Sequence, residues 1–518
     1  MRLPSFPRSP AATGKTGGHK PPMASTDSLQ HLLGACETYH RNVALAHLDT
    51  PPGGTRDASL AEAMAQTESA CTIPALRAIA NLSANAPEAQ RPAVRRLNAW
   101  GLGMHVQQKL RPTWHAAQSR FHGTTCYVEE QAIPLRHAFS HMAAERRRDQ
   151  RAAIESAVTA QLGTLNDSFE AHFEAHRRVA ADLDFESPDG LWRRIADMDA
   201  VSQQDAATEV LDETREVYVD LLAWAVKQRL RLPLSQLRRH DVLALFTFDE
   251  YQPYYQPGTM VPAMQACCRH MGLDPNADGR LTWRERPAHF GPPEALALHI
   301  PDEVFLVHPP ISGLKGAELW ASALGRALSW AHADPDLPLV HRRLADPAIA
   351  ESSACLLAEL VAHPDWLRHY LAVHVDEHYR LWRRLDRLYR LRRQLGRFLF
   401  TRHLYTTDSL AGAADTYRDL MMEACCVDYA PEYYLLDTDW HYESVAALWS
   451  RSLAGVLMET LHQQFAADWF RNPDSGAWLR HFWSSAPGES VSDLLQRHLD
   501  APEWTAVLFA EMLSDERL

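Results

Sequence analysis

No stretch of this 518-residue chain reaches the 18 or so uninterrupted apolar residues that a membrane-spanning helix needs. Met1–Ser28 also lacks the hydrophobic core of a secretory signal. Rich in Pro, Gly, Lys, Arg and Ser, it reads as a disordered tail, with Met23 as an alternative start. Cysteine is sparse and irregular. Cys36, Cys71, Cys126, Cys267, Cys268, Cys355, Cys425 and Cys426 match neither a zinc-ribbon spacing nor a compact disulfide framework. Reduced thiols in a cytoplasm are the expectation. Positive charge is in deficit, with 52 basic against 65 acidic residues and a net charge of −13, which argues against a general binder of nucleic-acid backbones.

What the chain does have is helical periodicity. Hydrophobic residues make up 46% and charged residues 23%, as in an ordinary folded protein. Helical patterns run almost without relief from Leu29 to about residue 245, the longest over 134–182, where Glu145–Arg151 reads as a solvated face. An aromatic, proline-rich stretch then begins at Phe246. The expected division is a 1–28 tail, a 29–245 N-terminal helical lobe and a 246–518 second lobe. Ala295–Ile300 and Glu303–Val307 are the convincing strands, bounded by prolines.

The densest pattern lies between Lys315 and Val361. Residues 316–332 form one amphipathic helix with Trp320, Leu324, Ala327, Leu328 and Ala331 on its buried stripe. Ser322, Arg326 and Ser329 share a second face at i, i+4 and i+7. After Arg342-Arg343-Leu344-Ala345, Asp346 is a good N-cap and Pro347 a good first helical residue. The helix that follows sets Glu351 one turn in, 25 residues after Arg326.

This block resembles the thimet oligopeptidase and oligoendopeptidase F family of zinc peptidases. That family carries H-E-x-G-H-A-L-H on one helix and a metal-binding Glu about 25 residues later. Gly325-Arg326-Ala327-Leu328 aligns with G-H-A-L, which puts Glu351 on the third-ligand position, and 301–307 resembles the strand ahead of the zinc helix. The resemblance covers roughly residues 125–518, with Arg-Arg-Leu-x-Asp-Pro-x-x-x-Glu its most specific part. It implies a mostly α, two-lobed zincin-like fold, a small β-sheet beside the former active-site helix, and a deep central channel. It also implies a lost function. Ser322 stands at the first His position, Ala323 at the catalytic Glu position and Arg326 at the second His position. Catalytic zinc needs about three protein ligands and an open site for water, and one carboxylate does not supply that. The chain therefore reads as a pseudopeptidase without zinc that binds a peptide or protein partner in the retained channel. In this family the region corresponding to 428–442 supplies a His and tyrosines that polarise the scissile carbonyl, and Tyr433, Tyr434, His441 and Tyr442 are the matching candidates. Aromatic packing of the final helices accounts for them equally well.

Other readings stay open from sequence. Glu351 with His332, His341 or His363 could hold a relocated metal in an active peptidase. Cys425 or Cys426 could act as a nucleophile with His441 as base. The chain could also be a structural partner protein with a filled channel. Asp274, Asn276, Asp278, Arg280, Thr282 and Glu285 match the spacing of a calcium loop, although Pro287 denies an exiting helix and a polar turn explains the pattern too. The arginine-rich segment 374–400 reads as a surface helix whose guanidinium groups pair with the protein's own acid. An anionic partner is its alternative. Finally, Arg326 and Glu351 are expected to form a buried salt bridge supported by Ser322 and Ser329, a guanidinium standing in for the charge of zinc.

Overall fold

The structure is a computed structural model that describes residues 24–196, 200–486 and 494. Helices dominate it. The first half holds α1 (Ala24–Asp49), α2 (Gly54–Ala65), α3 (Ile73–Asn85), α4 (Arg91–Gly123), α5 (Leu135–Ala144) and α6 (Arg148–Asp182). It continues through α7 (Pro188–Ala196), α8 (Ala200–Glu213), α9 (Arg215–Arg229) and α10 (Arg239–Leu245). The second half begins with α11 (Met260–His270), α12 (Gly313–Ala331), α13 (Leu339–Arg343), α14 (Pro347–Ala362) and α15 (Pro364–Leu371). The long α16 (Glu377–Thr406), α17 (Ala413–Cys425), α18 (Glu443–Phe465) and α19 (Pro473–Ser485) follow. Helical periodicity also runs over 489–515, which apart from Leu494 lies outside the described residues.

Two small sheets interrupt the helices. β1 (Thr125–Val128) and β2 (Gln131–Pro134) form an antiparallel hairpin that the sequence reading missed. The second sheet has the order β3-β5-β4, from β3 (Leu281–Glu285), β4 (Glu294–His299) and β5 (Glu303–His308). β5 runs parallel to β3 and antiparallel to β4. The two expected strands are within a residue of β4 and β5. β4 is an edge strand, and its free side is covered rather than exposed. Ala44 and Leu48 of α1 pack with Leu296, Leu298 and Val307. Arg343 donates to the Ala297 carbonyl at 2.8 Å and also to the Leu298 carbonyl, while Arg342 donates to the Ile300 carbonyl. The paired arginines ahead of Asp346 thus serve the backbone of the sheet. They fix where α14 starts.

α14 begins as its sequence dictates. Asp346 Oδ1 accepts the Ala348 N–H at 3.0 Å, and Pro347 occupies the first turn. α12 and α14 then cross in direct backbone contact. A Cβ built on Gly325 would lie 2.2 Å from the Ser353 carbonyl oxygen, so no larger residue fits at the crossing.

Several boundaries differ from the sequence reading. α1 already includes Ala24–Ser28, which had been assigned to a disordered tail, so the expected tail is too long by those residues. The 134–182 helix is two helices, α5 and α6, separated at Glu145–Arg147. The break has a charge-based cause. Arg151, only 3% exposed, donates to the Glu145 and Arg146 carbonyls and pairs with buried Asp241 at 3.0 Å, and Arg148 reaches the same carboxylate. That face is therefore solvated at Arg146, Arg147 and Asp149, as expected, and internal at Arg151. The main hydrophobic cluster runs from Val106 to Leu494 and crosses residue 245 without interruption.

α16 is the largest correction. It is a core helix and not a surface one. Arg383 and Arg392 are 4% and 0% exposed. Arg383 meets Glu318 of α12 at 2.5 Å, Glu359 of α14 at 3.5 Å and Asp386 at 3.4 Å. Arg392 donates to the Leu211, Glu423 and Ala424 carbonyls and to the Thr214 hydroxyl. Burial opposes ionisation of Glu318, but Arg383, Arg390 and Lys315 override it and hold the carboxyl below the usual range. The expected pairing with the protein's own acid is present, but it lies in the interior.

Several histidines are also internal. Burial pushes His40, His172 and His332 down to about 4, and His176 falls well below its ordinary value for the same reason. His332 stacks on Trp483 with centroids 5.5 Å apart, and its Nε2 has no hydrogen-bond partner among the described residues. These groups are neutral in the fold and protonate more readily when unfolded. Their stabilisation is complete above about pH 6.5 and is lost as pH falls towards 4. The melting temperature should therefore drop between pH 6.5 and 4.5, before most carboxylates titrate. His332→Phe, which keeps the stacked ring and removes the titrating group, should shallow that slope. An unchanged slope would mean that His332 does not contribute to it.

Candidate functional site

The site is built where α12 and α14 cross. Ser322, Ala323 and Arg326 project from α12, and Glu351 from the first turns of α14. Arg326 and Glu351 meet as a two-pronged pair, with Nε donating to Oε1 at 2.6 Å and a terminal N–H to Oε2 at 2.7 Å. Both carboxylate oxygens are engaged, in the parallel geometry that makes Arg–carboxylate pairs strong. The expected salt bridge is present, with two corrections. It is not buried, since the Arg326 and Glu351 side chains are 27% and 39% exposed. Nor do the serines support it. The Ser329 hydroxyl donates to the Arg326 carbonyl of its own helix at 2.8 Å, and Ser322 makes no hydrogen bond to the pair.

This side-chain set does not suit zinc. Ser322 and Ala323 offer a hydroxyl and a methyl, Arg326 offers only N–H donors, and Glu351 has both oxygens already taken. Around the pair stand Cys355, one turn along α14, and Arg451 of α18. Cys355 has its thiol pushed up to about 11, chiefly by burial. The relocated-metal alternatives are not assembled either. His332 is stacked on Trp483, and His363 caps α15 by accepting the Asp365 N–H at 3.2 Å. Glu351 and His363 stand twelve residues apart on the α14 axis, about 18 Å at helical rise. Among the described residues no three His, Cys, Asp or Glu side chains are grouped to hold a metal ion.

The tyrosine-rich loop is packed into the protein. Tyr433 is fully buried beneath Arg239, whose guanidinium lies 3.7 Å from the ring centroid. The Tyr434 hydroxyl donates to Glu170 at 2.8 Å and the Tyr442 hydroxyl to Asp189 at 2.6 Å. His441 rests on Trp192 at 4.8 Å. None of these four contacts involves Arg326 or Glu351. The loop is anchored from α16 and α17: Arg393 of α16 bonds Asp437 at 2.9 Å, Arg397 of α16 donates to the Asp437 carbonyl at 2.6 Å, and Tyr417 of α17 donates to its carboxylate. Cys425 is buried with its thiol pushed up to about 12, mainly by desolvation, which suppresses the thiolate a nucleophile requires.

The 274–285 segment turns α11 into β3. The Asp274 carboxylate accepts the Asn276 N–H at 2.8 Å, and Asn276 O accepts from both Gly279 and Leu281. Arg280 donates to the Ala331 carbonyl, while Thr282 and Glu285 lie on β3. Ala277, Asp278 and Gly279 all take positive φ, a tight turn closed by its own bonds. Two large cavities, of about 650 and 690 Å³, are lined by neither Arg326 nor Glu351 and by none of the loop tyrosines.

Against this geometry the comparisons with known proteins can be weighed. No family model matches the chain, and no curated protein matches it. Among solved structures, the chain is similar to the crystal structure of a "putative peptidase" from Chlamydophila abortus, with a TM-score of 0.63 and 13% identity. The match covers 94% of this chain and 89% of that one. At this identity the likeness is one of fold. The chain has a mostly helical, peptidase-like fold.

Two outcomes test the site. A double-mutant cycle on Arg326→Ala and Glu351→Ala should give a coupling energy of about 1 kcal/mol, between the values for exposed and buried pairs. Strictly additive losses would show the pair to be energetically idle. Millimolar calcium should leave the melting temperature unchanged. A rise abolished by Asp278→Ala would instead identify the 274–285 turn as a calcium site.

Proposed function

We propose that the protein is a catalytically inactive relative of the thimet oligopeptidase and oligoendopeptidase F peptidases, acting by binding a peptide or protein partner rather than cleaving it. The observation that carries the reading is the two-pronged Arg326–Glu351 pair. Where the resembled family places an imidazole and a carboxylate on one cation, this chain places a permanent cation on the same carboxylate. The general base of the family motif, worth about 10²–10⁴ in rate, corresponds to the methyl group of Ala323. Partial exposure of the pair supports a binding role, because a charged surface that solvent reaches can also be reached by a ligand. A cytoplasmic setting belongs to the same reading and is supported by all eight cysteines being free. No described helix is long and apolar enough to cross a membrane.

Protein purified without chelators should contain far less than one zinc per chain and leave a mixed pool of unstructured peptides intact. The triple variant Ser322→His, Ala323→Glu, Arg326→His should acquire about one zinc per chain, with Glu351 completing the ligand set. Stoichiometric zinc in the unaltered protein, or peptide cleavage abolished by chelation, would overturn the proposal.

A further inference from the structure

The cavity of about 650 Å³ lies at the far end of α14 from the Arg326–Glu351 pair, between the C-terminal end of α14, the N-terminal half of α16 and the end of α18. Its wall on α16 carries Arg380, Arg383, Arg384 and Arg387. This i, i+3, i+4, i+7 spacing puts four guanidinium groups on one helical face. His363 and His462 line it as well, their rings 6.3 Å apart. Such a concentration of basic groups is unexpected in a chain of net charge −13.

The internal carboxylates neutralise only half of this wall. Arg383 is held by Glu318, Glu359 and Asp386, and Arg387 reaches Glu359 at 2.7 Å. Arg380 and Arg384 pair with no carboxylate among the described residues, and the Arg384 Nε–H is buried without a hydrogen-bond acceptor. A buried guanidinium N–H without an acceptor is costly, and a water or an anion is one way to satisfy it. Of the acidic residues lining the cavity, Asp365 is engaged by Arg368 at 2.8 Å and Glu459 accepts from Gln463 at 2.8 Å. Glu377 is the third. Ala362, Pro364, Leu381 and Ala467 supply apolar wall, so the cavity suits a small organic molecule and not a bare ion.

We propose that this cavity binds a small organic oxyanion, a phosphoester or polycarboxylate, held by Arg384 and Arg380 with Arg387 behind them. The planar, multi-donor guanidinium matches both oxyanion classes in two-pronged geometry. His363 provides a second signature. Burial, with His462, Arg387 and Arg380 adding to it against Asp365, pushes its imidazole down to about 4. A bound anion would oppose those cations and raise it towards its ordinary value.

The test is calorimetric titration of the full-length protein with inorganic pyrophosphate and, separately, with citrate, both at fixed ionic strength. One saturable site is expected for at least one probe. Tighter pyrophosphate binding assigns a phosphoryl ligand, and tighter citrate binding a carboxylate one. Arg384→Met and Arg380→Met should each weaken binding about tenfold, while Arg178→Met on α6 should leave it unchanged. Arg380 is exposed, so its variant remains informative even if Arg384→Met lowers stability. Absence of saturable binding by both probes would overturn the proposal. So would equal affinity of the Arg380→Met variant and the unaltered protein.

Discussion

The contact on which the candidate site depends is the backbone-to-backbone crossing of α12 and α14 at Gly325. With a Cβ position only 2.2 Å from the Ser353 carbonyl oxygen, the two helices can approach this closely only at glycine. That approach sets the span between Arg326, the next residue on α12, and Glu351, half a turn before Ser353. Given the span, the two-pronged pair follows from side-chain reach. The glycine, more than either charged residue, defines the geometry.

A second constraint radiates from α16. Its arginines tie α12 and α14 through Glu318 and Glu359, the end of α17 through Arg392, and the tyrosine-rich loop through Arg393 and Arg397. Such buried networks are individually of uncertain net benefit to stability, since each charge must be desolvated. What they supply is specificity of position. A helix carrying this many internal guanidinium groups has one arrangement in which each meets an oxygen, and sliding by a turn would strand them.

Much of this was legible in the sequence where a local rule determined the outcome. The Asp346-Pro347 start of α14 and the strands at 294–308 follow from capping and turn chemistry, and the reach of Arg326 to Glu351 is what the resemblance to the zinc peptidases implied. What was missed depended on distant partners. Nothing local marks Arg151 as internal, because its acceptor, Asp241, lies 90 residues away. The arginines of α16 look like a solvated face until Glu318 and Glu359 arrive from other helices. β3 was hidden inside a spacing that also fits a cation loop, because alternating acidic and polar residues serve a tight turn as readily as a ligand set. Exposure of the Arg326–Glu351 pair was beyond sequence reasoning for the same cause: periodicity assigns a face, not what covers it.

The packing of α1 on the three-stranded sheet has a consequence for synthesis. His47 meets Glu294 at 3.1 Å across 247 residues of chain, and the apolar face of α1 near Ala44 and Leu48 has its partners on β4 and β5. At translation rates of about 5–20 residues per second, that face leaves the ribosome roughly 12–50 s before the strands that cover it. Throughout that interval the end of α1 near Ala44 and Leu48 lacks its cover, while Leu32 and Cys36 of the same helix can already pack with Leu76 of α3 and Leu97 of α4. The C-terminal end of α1 is thus among the last parts of the fold to be covered, which ties its packing to the pace of elongation.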